Sequence, residues 1–469
     1  MFRINLLKKS VAVIFSAIAL TTTALFADIN TAMAADTTVQ AGQSVQPDAG
    51  SQNAKNWPEA PEIYSGSAIL IDADTGAILY EKNAHEKGFP ASTTKILTGL
   101  LTIENCALDE TVTFSTEAAN SVAWDDASLG TLPGEQYTVE QALYGLLLHS
   151  ANEIAYGLAE HTSGSLDAFV ELMNQRAKEL GAINTHFTNA SGLHDENHYT
   201  TAYDMAMIAR GCYNNTTFVN IDSTYTTYEI PPTNKTDSSR YFRHRHLMLK
   251  NRDYYYEYCK GGKTGYTSKA GNTLVTFAEK GDIRLIAVCF QSGENERFKD
   301  TRTLFEWGFN NFRKTTTSTS SISSLFSSDN YYTSKINNTY DFNFSLSAST
   351  LTLPNNASIG DVSLDIDDNY RITNENGIYR AQVNFKYFDN IVGTAKLTFA
   401  SDDAVARESN LPYLDKSDTE TLKPKKCLVI NLWILLAIAA VVLIGLVIFY
   451  QIKRLQRQNK YGRKRRLHF

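Results

Sequence analysis

Three short motifs place hydroxyl, amine and amide groups where they could perform nucleophilic catalysis. In the first, Ser92 and Lys95 lie three residues apart, between Pro90 and an apolar helical pattern. Residues at this spacing share one helix face, so the amine can meet the hydroxyl and remove its proton. A helix start also directs backbone N–H groups toward developing negative charge. In isolation, the pair is more typical of a capped helix with a surface lysine.

The second motif is Ser150–Asn152, between two apolar helical stretches. Its serine can relay a proton, and its asparagine can donate to and accept from an amide substrate. The third motif, Lys263, Thr264 and Gly265, opens a predicted strand over 266–279. A lysine and a threonine can hold a carboxylate, and glycine lets a substrate backbone approach closely. Separately, a helix N-cap and a turn would explain these two motifs.

The apolar pattern predicts the elements that position these motifs. Strands lie on both sides of a mainly helical stretch, so we expect an α+β fold in which one antiparallel sheet packs against a helical layer. The predicted strands are 67–72, 77–81, 266–279 and 283–291, and the predicted helices are 92–104, 139–161, 166–180 and 296–312.

A second region of different composition follows. Residues 314–329 are mostly serine and threonine, which predicts a linker, and residues 403–426 form a polar stalk. Between them, at 330–402, short alternating runs predict a small all-β domain. The predicted strands there are 340–346, 362–366, 380–387 and 394–399.

Both ends of the chain carry apolar segments. Residues 1–34 have a basic start, an apolar stretch and a small-x-small site, which predicts a secretory signal rather than an anchor; a flexible leader, 35–56, follows. Residues 427–450 are 24 residues without a charge, long enough to span a bilayer. The tail, 451–469, holds eight bases and no acid, so we expect it in the cytoplasm and everything upstream outside.

Charge and cysteine content exclude other classes of protein. The net charge of −6 hides an acidic body, because residues 35–450 hold 33 bases and 49 acids. Such a body argues against nucleic acid as a partner. The cysteines of this body are far apart in the sequence, with no C-x-x-C pair and no histidine at metal-ligand spacing. We therefore expect them to act as small buried apolar residues, with one disulfide as the remaining alternative. They are Cys106, Cys212, Cys259 and Cys289, with Cys427 at the membrane boundary.

The order of the three motifs resembles that of the serine-active penicillin-interacting enzymes. Four stretches extend the match and resemble the D-alanyl-D-alanine carboxypeptidases of peptidase family S11, which are low-molecular-mass penicillin-binding proteins. The stretches are Phe89–Leu97, Leu148–Asn152, His198–Ala206 and Lys263–Gly271. The resemblance implies a β-lactamase/transpeptidase-like catalytic domain over 57–313, and the β-domain at 330–402 resembles, more weakly, the C-terminal domain of such enzymes.

The resemblance implies a role for each motif residue. Ser92 would attack the carbonyl between two D-alanines and form an acyl-enzyme, with Lys95 as the base. Ser150 would pass a proton to the leaving D-alanine, while Asn152 and Lys263 orient the site. Water would then hydrolyse the ester, with no metal and no cofactor.

It also implies how the substrate is held. The backbone N–H groups of Ser92 and Tyr266 would form the oxyanion hole, and Gly265 would admit the substrate. Thr264 and Arg297 would bind the terminal carboxylate. The implied partners are the peptidoglycan stem peptide and, as inhibitors, β-lactam antibiotics. The implied location is the bacterial cell membrane, with a single span and the catalytic part on the extracytoplasmic face.

Two departures and two alternatives accompany the resemblance. Glu153 stands where the family often has aspartate, and Arg243–His246 replaces a stretch that usually shows asparagine, at the rim of the site. A β-lactamase of class A would need a deacylating glutamate; the nearest candidate, in Glu171–Asn174, lies in a helical pattern and lacks the expected form. The other alternative is a non-catalytic cell-wall-binding protein, against which the intact motifs argue.

Overall fold

A computed structural model describes most of the two predicted folded regions. The predicted signal, leader, stalk, membrane span and basic tail, with most of the linker, lie outside the described residues. The described residues all belong to the first of two compact units, Met1–Val405 and Ala406–Phe469. In this part of the chain no helix is long and apolar enough to cross a membrane. The described ranges are 57–123, 126–317, 342–347, 349–366, 373–375 and 378–401.

A five-stranded antiparallel sheet forms the centre of the catalytic region, as predicted. Its strand order is β2-β1-β9-β8-β7, so strands from the two ends of the region meet in the middle of the sheet. The strands are β1 (Ser67–Asp72), β2 (Ile78–Lys82), β7 (Cys259–Thr267), β8 (Gly271–Lys280) and β9 (Ile283–Ser292). Short ribbons are formed by β3 (Thr111–Thr113) with β4 (Gln136–Thr138), and by β5 (Tyr228–Ile230) with β6 (Arg240–Phe242).

Both faces of the sheet are buried, because successive side chains of a strand point to opposite sides. In β1, Ile69 and Ile71 join one apolar core and Ala68 and Leu70 join another. The first core is shared with most of the helices, and the second with the closing helix, Glu296–Asn311. The helices are α1 (Lys95–Asn105), α2 (Thr116–Ala119), α3 (Val139–Tyr144), α4 (Asn152–Ser163), α5 (Leu166–Glu179), α6 (Ala202–Tyr213), α7 (Thr216–Asp222) and α8 (Glu296–Asn311).

The prediction of one helix over 139–161 was wrong. α3 ends at Tyr144, and a π-helical turn covers Gly145–His149. The helical conformation is then interrupted at Ser150, before α4 begins. Ser150 has φ 68°, a left-handed conformation that stops a helix. Apolar residues continue on both sides of the break, so periodicity alone does not reveal it.

The prediction of one strand over 266–279 was also wrong. The third motif lies inside β7, and a turn at 268–270 leads into β8. β7 starts at Cys259, within a stretch too rich in glycine and lysine to show the alternation of a strand. The motif therefore lies on a strand at the edge of the sheet, paired only with β8 among the sheet's described strands.

Beyond α8 the chain continues as strands. β10 (Phe312–Thr316) pairs with β12 (Thr350–Pro354), so the predicted linker does not begin at 314. A second antiparallel sheet has the order β11-β16-β15-β13, with β14 also paired to β15. The strands agree with those predicted for this region, apart from β12 and β14, which were missed; the bounds of a separate β-domain stay a prediction. The strands of this second sheet are β11 (Phe342–Leu346), β13 (Ser363–Ile366), β14 (Thr373–Glu375), β15 (Ile378–Tyr387) and β16 (Asn390–Ser401).

Candidate active site

The first motif lies at the start of α1. Ser92 belongs to a 3-10 turn, Ala91–Thr94, that runs directly into α1, whose first residue is Lys95. Lys95 Nζ lies 2.9 Å from Ser92 Oγ, which confirms that the two side chains meet. Burial of Ile96 and Leu97 in the core fixes the orientation of the helix that carries them.

The surroundings of Lys95 favour a neutral amine. Its side chain is fully buried, and Nζ donates to Asn152 Oδ1 at 2.7 Å and to the Ser191 carbonyl at 2.6 Å. A neutral amine has two N–H bonds and one lone pair. With both N–H bonds committed to these acceptors, the lone pair is left for the hydroxyl proton of Ser92.

Burial lowers the pKa of Lys95 well below its usual value, and the nearby positive charge of Lys263 lowers it further. Both effects penalise the ammonium form. The lowered pKa favours the neutral amine, and the contact with Ser92 Oγ places that amine where it can serve as a general base.

The second and third motifs meet on the other side of the cleft. Lys263 Nζ donates to Ser150 Oγ at 2.9 Å and to the Thr264 carbonyl at 2.8 Å. Burial lowers the pKa of Lys263 to about 7, and the positive charge of Arg245 contributes. Ser150 has a left-handed backbone conformation, which is strained for a serine, and strained residues of this kind cluster at functional sites. The same residue carries the hydroxyl that contacts Lys263.

Gly265 is required by the close approach of β7 to the nucleophile. A Cβ atom at this position would lie 2.3 Å from Thr273 Oγ1 and 2.9 Å from the backbone nitrogen of Ser92. The strand backbone thus runs directly against the Ser92 amide, next to Tyr266. This arrangement agrees with the expected pair of oxyanion donors, which remains a prediction.

The motifs line one open cleft of about 690 Å³. In this cleft Tyr266 is 66% exposed, whereas Asn152 and Ser150 are almost completely buried. All the sequence-predicted site residues line the cleft except the two lysines, whose amino groups act from beneath it. The lining residues are Ser92, Asp126, Ala127, Ser150, Asn152, Gly192, Leu193, Arg245, Thr264, Gly265, Tyr266, Thr267, Ser268 and Arg297.

Two arginines reach the cleft. Arg297 donates from Nη1 to the carbonyl oxygens of Gly265 at 3.1 Å and Thr273 at 3.4 Å, so part of its guanidinium group already supports β7. The Arg245 guanidinium has no hydrogen bond or ion pair to any other described residue. The 243–246 stretch was predicted to lie at the rim of the site, but Arg245 was not among the predicted site residues. A free guanidinium in the cleft is suited to a substrate carboxylate.

A buried hydrogen-bond chain behind the nucleophile was also missed. His198 Nδ1 accepts from the Thr188 N–H at 3.1 Å, so Nε2 carries the proton and donates to Thr94 Oγ1 at 2.9 Å. Thr94 Oγ1 in turn donates to the Ala91 carbonyl at 2.9 Å. Ala91 has φ 50°, rare for alanine, and it directly precedes Ser92. Burial lowers the pKa of His198 to about 4, so the imidazole is neutral at pH 7.

Glu153 holds a loop that contributes Asp126 and Ala127 to the lining of the cleft. It is fully buried, and its Oε1 accepts from the Leu129 N–H at 2.6 Å and from Ser128 Oγ at 2.9 Å. The neighbouring Asn152 N–H donates to the Ala127 carbonyl at 2.8 Å. Glu153, which stands where the family often has aspartate, therefore holds the 126–131 loop and does not line the cleft.

The chain is similar to known carboxypeptidases. The profile of the S11 peptidases, D-alanyl-D-alanine carboxypeptidase, matches residues 54–293, half of the chain. DacF of Bacillus subtilis is 37% identical over 251 residues, which are 52% of this chain and 62% of that protein. DacC of Escherichia coli is 32% identical over 275 residues (56% and 66%). DacB2 of Mycobacterium tuberculosis is 34% identical over 268 residues (56% and 88%). The chain thus spans somewhat less than two thirds of DacF and DacC.

Solved structures of the same kind superpose on the catalytic region. A D-alanyl-D-alanine carboxypeptidase from Mycobacterium tuberculosis has TM-score 0.50 and 31% identity, covering 55% of this chain and 95% of that one. The Streptomyces K15 DD-transpeptidase has TM-score 0.50 and 28% identity, covering 54% and 100%. Penicillin-binding protein 6B of Escherichia coli, at 24% identity, shares the fold with TM-score 0.53 over 72% and 96%. The chain belongs to the S11 peptidase family of D-alanyl-D-alanine carboxypeptidases.

Proposed function

We propose that this protein is a serine-type D-alanyl-D-alanine carboxypeptidase that removes the terminal D-alanine from peptidoglycan stem pentapeptides. One observation carries the proposal. Lys95 Nζ lies 2.9 Å from Ser92 Oγ while its two N–H bonds are committed to Asn152 and Ser191. A serine paired with a buried neutral amine is an activated nucleophile. Family membership supplies the substrate class.

Acylation begins when Ser92 Oγ attacks the carbonyl carbon of the penultimate D-alanine. The hydroxyl proton passes to Lys95 Nζ, and the backbone N–H groups of Ser92 and Tyr266 stabilise the oxyanion. Asn152 Oδ1 accepts from Lys95, which leaves its Nδ2 group to donate to a carbonyl of the substrate.

The scissile bond breaks as the leaving amine receives a proton. Ser150 Oγ, which accepts from Lys263 Nζ, is the group placed to deliver it, and the released product is D-alanine. The proton that Lys95 took from Ser92 then replaces the one that Ser150 gave away, so that both lysine–serine pairs regain their starting protonation. Water then attacks the ester carbonyl, one of its protons returns to the Ser92 oxygen, and the shortened peptide leaves. The two serine–lysine pairs thus supply the groups that carry each proton.

The terminal carboxylate of the substrate is bound at the cationic end of the cleft. Thr264, Arg245 and Arg297 all line the cleft. Among the described residues the Arg245 guanidinium has no hydrogen-bond or ion-pair partner, so we assign it at least as large a share of carboxylate binding as Arg297. The two guanidinium groups create a positive potential that attracts an anionic peptide end.

A β-lactamase is the less suitable alternative. Glu171, the candidate deacylating residue, lies within α5, and no atom of it lines the cleft. We therefore expect penicillin to acylate Ser92 and to be released slowly. A non-catalytic wall-binding role would not require a fully buried lysine aimed at a serine hydroxyl.

The test uses the full-length chain with a labelled penicillin and a pentapeptide. Wild type should form a slowly released adduct and free D-alanine, and Ser92→Ala should do neither while keeping the wild-type melting temperature. Ser121→Ala, which removes a half-buried hydroxyl outside the cleft, is the matched control and should keep both activities. Labelling that persists in Ser92→Ala, or a wild type that frees no D-alanine from any muropeptide, would overturn the proposal.

We also propose that the protein acts at the extracytoplasmic face of the cell membrane. The uncharged 427–450 segment followed by eight bases supports a single C-terminal span, and residues 1–34 support export. Protease added to intact protoplasts should degrade the catalytic region and spare an epitope placed in the basic tail. Protection of the catalytic region would contradict this location.

A further inference from the structure

The two helices that carry Lys95 and Asn152 meet at both of their ends. Lys95 is the first residue of α1 and Asn152 the first residue of α4, and their side chains are hydrogen-bonded at 2.7 Å. At the opposite end, Cys106 is the C-cap of α1 and His161 lies in the last turn of α4. The helices thus run in the same direction, from the active site to a second cluster of polar side chains.

This second cluster combines three types of metal ligand. The Cys106 thiol, the His161 imidazole and the carboxylate of Glu110 have ligand atoms that all lie within 4.8 Å of one another. His161 Nε2 is 3.0 Å from Glu110 Oε2. Because the residues come from the end of α1, the approach to β3 and the end of α4, their sequence spacing does not reveal the cluster.

The distances are close to those of a zinc site. Zinc binds thiolate at about 2.3 Å and imidazole or carboxylate at about 2.0–2.2 Å, which places tetrahedral ligand atoms roughly 3.3–3.7 Å apart. Because the ligand atoms already lie within 4.8 Å of one another, side-chain rotations alone can bring them to this spacing. Glu110 is exposed and the other two residues are half-buried, so a water molecule can occupy the fourth position.

The carboxylate is already held in position. Glu110 Oε1 accepts from the Ala107 N–H at 2.6 Å, which leaves Oε2 as the ligand atom that faces His161. The Glu110 carbonyl accepts from the Val139 N–H at 2.9 Å, so the backbone of this loop is fixed as well. Fixed partners of this kind orient metal ligands and raise affinity.

We propose that Cys106, Glu110 and His161 form a binding site for a zinc ion, with water as the fourth ligand. On binding, the Cys106 thiol releases its proton to solvent and its thiolate coordinates the ion. His161 coordinates through Nε2 in the tautomer that carries its proton on Nδ1, and the hydrogen bond to Glu110 is replaced by two metal bonds. No oxidation or reduction takes place.

The ion would act on the fold rather than on the reaction. α1 has 11 residues, so Cys106 lies about 16 Å along the helix from Lys95 at 1.5 Å per residue, too far for contact with a substrate. The ion would tie together the far ends of α1 and α4, whose near ends hold the catalytic amine. We therefore expect bound zinc to raise the melting temperature and to leave the acylation rate per folded molecule unchanged.

The test is metal titration of chelator-treated full-length protein. Zinc should bind one ion per chain at this site and raise the melting temperature, and cobalt(II) should give a thiolate-to-cobalt charge-transfer band. Cys106→Ser should lose the band, and His161→Gln should weaken binding roughly tenfold or more. Two matched controls should behave as wild type. Cys259→Ser removes another half-buried thiol, and His194→Gln removes a histidine that is 3.3 Å from Glu196 but belongs to no ligand cluster among the described residues.

The melting temperature of each variant without metal shows whether it is folded, and Glu110→Gln supplies a third variant that replaces one carboxylate oxygen with an amide group. A charge-transfer band that persists in Cys106→Ser, or zinc affinity equal to wild type in both Cys106→Ser and His161→Gln, would overturn the proposal. The readouts are the metal stoichiometry, the spectrum and the melting temperature, and none of them depends on carboxypeptidase activity.

Discussion

Lys263 Nζ donates a hydrogen bond to Ser150 Oγ at 2.9 Å, and this contact mirrors the 2.9 Å separation between Lys95 Nζ and Ser92 Oγ. Each of the two motif serines, Ser92 and Ser150, therefore has its own buried lysine. The two ammonium groups would repel each other in a poorly solvated site, so the charge of one favours the neutral form of the other. The pairs can divide the work, with one neutral amine taking a proton and one charged amine supporting proton delivery.

This division predicts how activity depends on pH. Lys263 has a pKa lowered to about 7, chiefly by burial, so it is protonated below pH 7 and neutral above it. Because the protonated form attracts the substrate carboxylate and supports Ser150, kcat/KM, which reports the free enzyme, should fall as the pH rises through about 7. Lys263→Arg keeps its charge at all these pH values and should lose this falling limb. The measurement is D-alanine release from pH 5 to 10; an unchanged limb in Lys263→Arg would assign it to another group.

The two cleft arginines predict different kinetic defects. Arg245→Gln removes a free guanidinium and should lower kcat/KM roughly 10- to 100-fold, the effect of one hydrogen bond to a charged group, mainly through KM. Arg297→Gln also removes support from the Gly265 carbonyl and should lower kcat as well. A substrate ending in a carboxamide should be insensitive to Arg245→Gln. Arg243→Gln, whose arginine donates to Thr227 at 2.8 Å outside the cleft, is the control. Equal losses for the acid and the amide would exclude carboxylate binding by Arg245.

Gly265→Ala tests the close approach of β7 to the nucleophile. The added methyl group would lie 2.9 Å from the Ser92 nitrogen and 2.3 Å from Thr273 Oγ1, so the strand or the helix start must shift. We expect acylation by penicillin to slow by about 100-fold or more, the cost of losing an oxyanion donor. Gly88→Ala adds a methyl group in ordinary contact, 3.7 Å from Phe290, and should react like wild type. Normal acylation of Gly265→Ala would mean that the strand does not border the oxyanion.

The chain from His198 to Ala91 predicts a positioning effect. Thr94→Val removes the hydroxyl that donates to the Ala91 carbonyl and leaves the His198 N–H without its acceptor. Stability should fall by about 1–3 kcal/mol. The acylation rate constant should fall about tenfold with substrate affinity unchanged, because Ser92 is displaced while the binding residues are not. Thr94→Ser restores the hydroxyl and should rescue the rate; failure of this rescue at wild-type stability would show that the hydroxyl does not position Ser92.

The site is predictable from the sequence where a motif and a helix start coincide. The spacing of Ser92 and Lys95 predicted their contact, because three residues along a helix bring side chains together regardless of the rest of the fold. It could not predict the Ser191 carbonyl, the second acceptor for Lys95 Nζ, because a backbone group 96 residues away carries no sequence signal. The same holds for Thr94 and His198, which lie 104 residues apart.

The predicted secondary structure was wrong at the second and third motifs for a related reason. Ser150 adopts a left-handed backbone that interrupts an apolar run, and Lys263–Gly265 lies in a strand with few apolar residues. Local propensity is overruled at both places by the geometry that the cleft requires. The free guanidinium of Arg245 was missed because only the packed structure shows which arginine of the 243–246 stretch turns toward the cleft.

The contact between Lys95 and Asn152 joins residues that are 57 positions apart in the chain, yet both are first residues of helices packed in the same direction. The contact therefore depends on how α1 and α4 are rotated about their axes where they pack together. It does not depend on the number of residues between the two motifs. An extra residue within either helix would rotate everything beyond it by about 100° and misalign the packed faces. Insertions of several residues between the two helices, in exposed loops, change no such phase, so natural variation in motif spacing is expected to collect there.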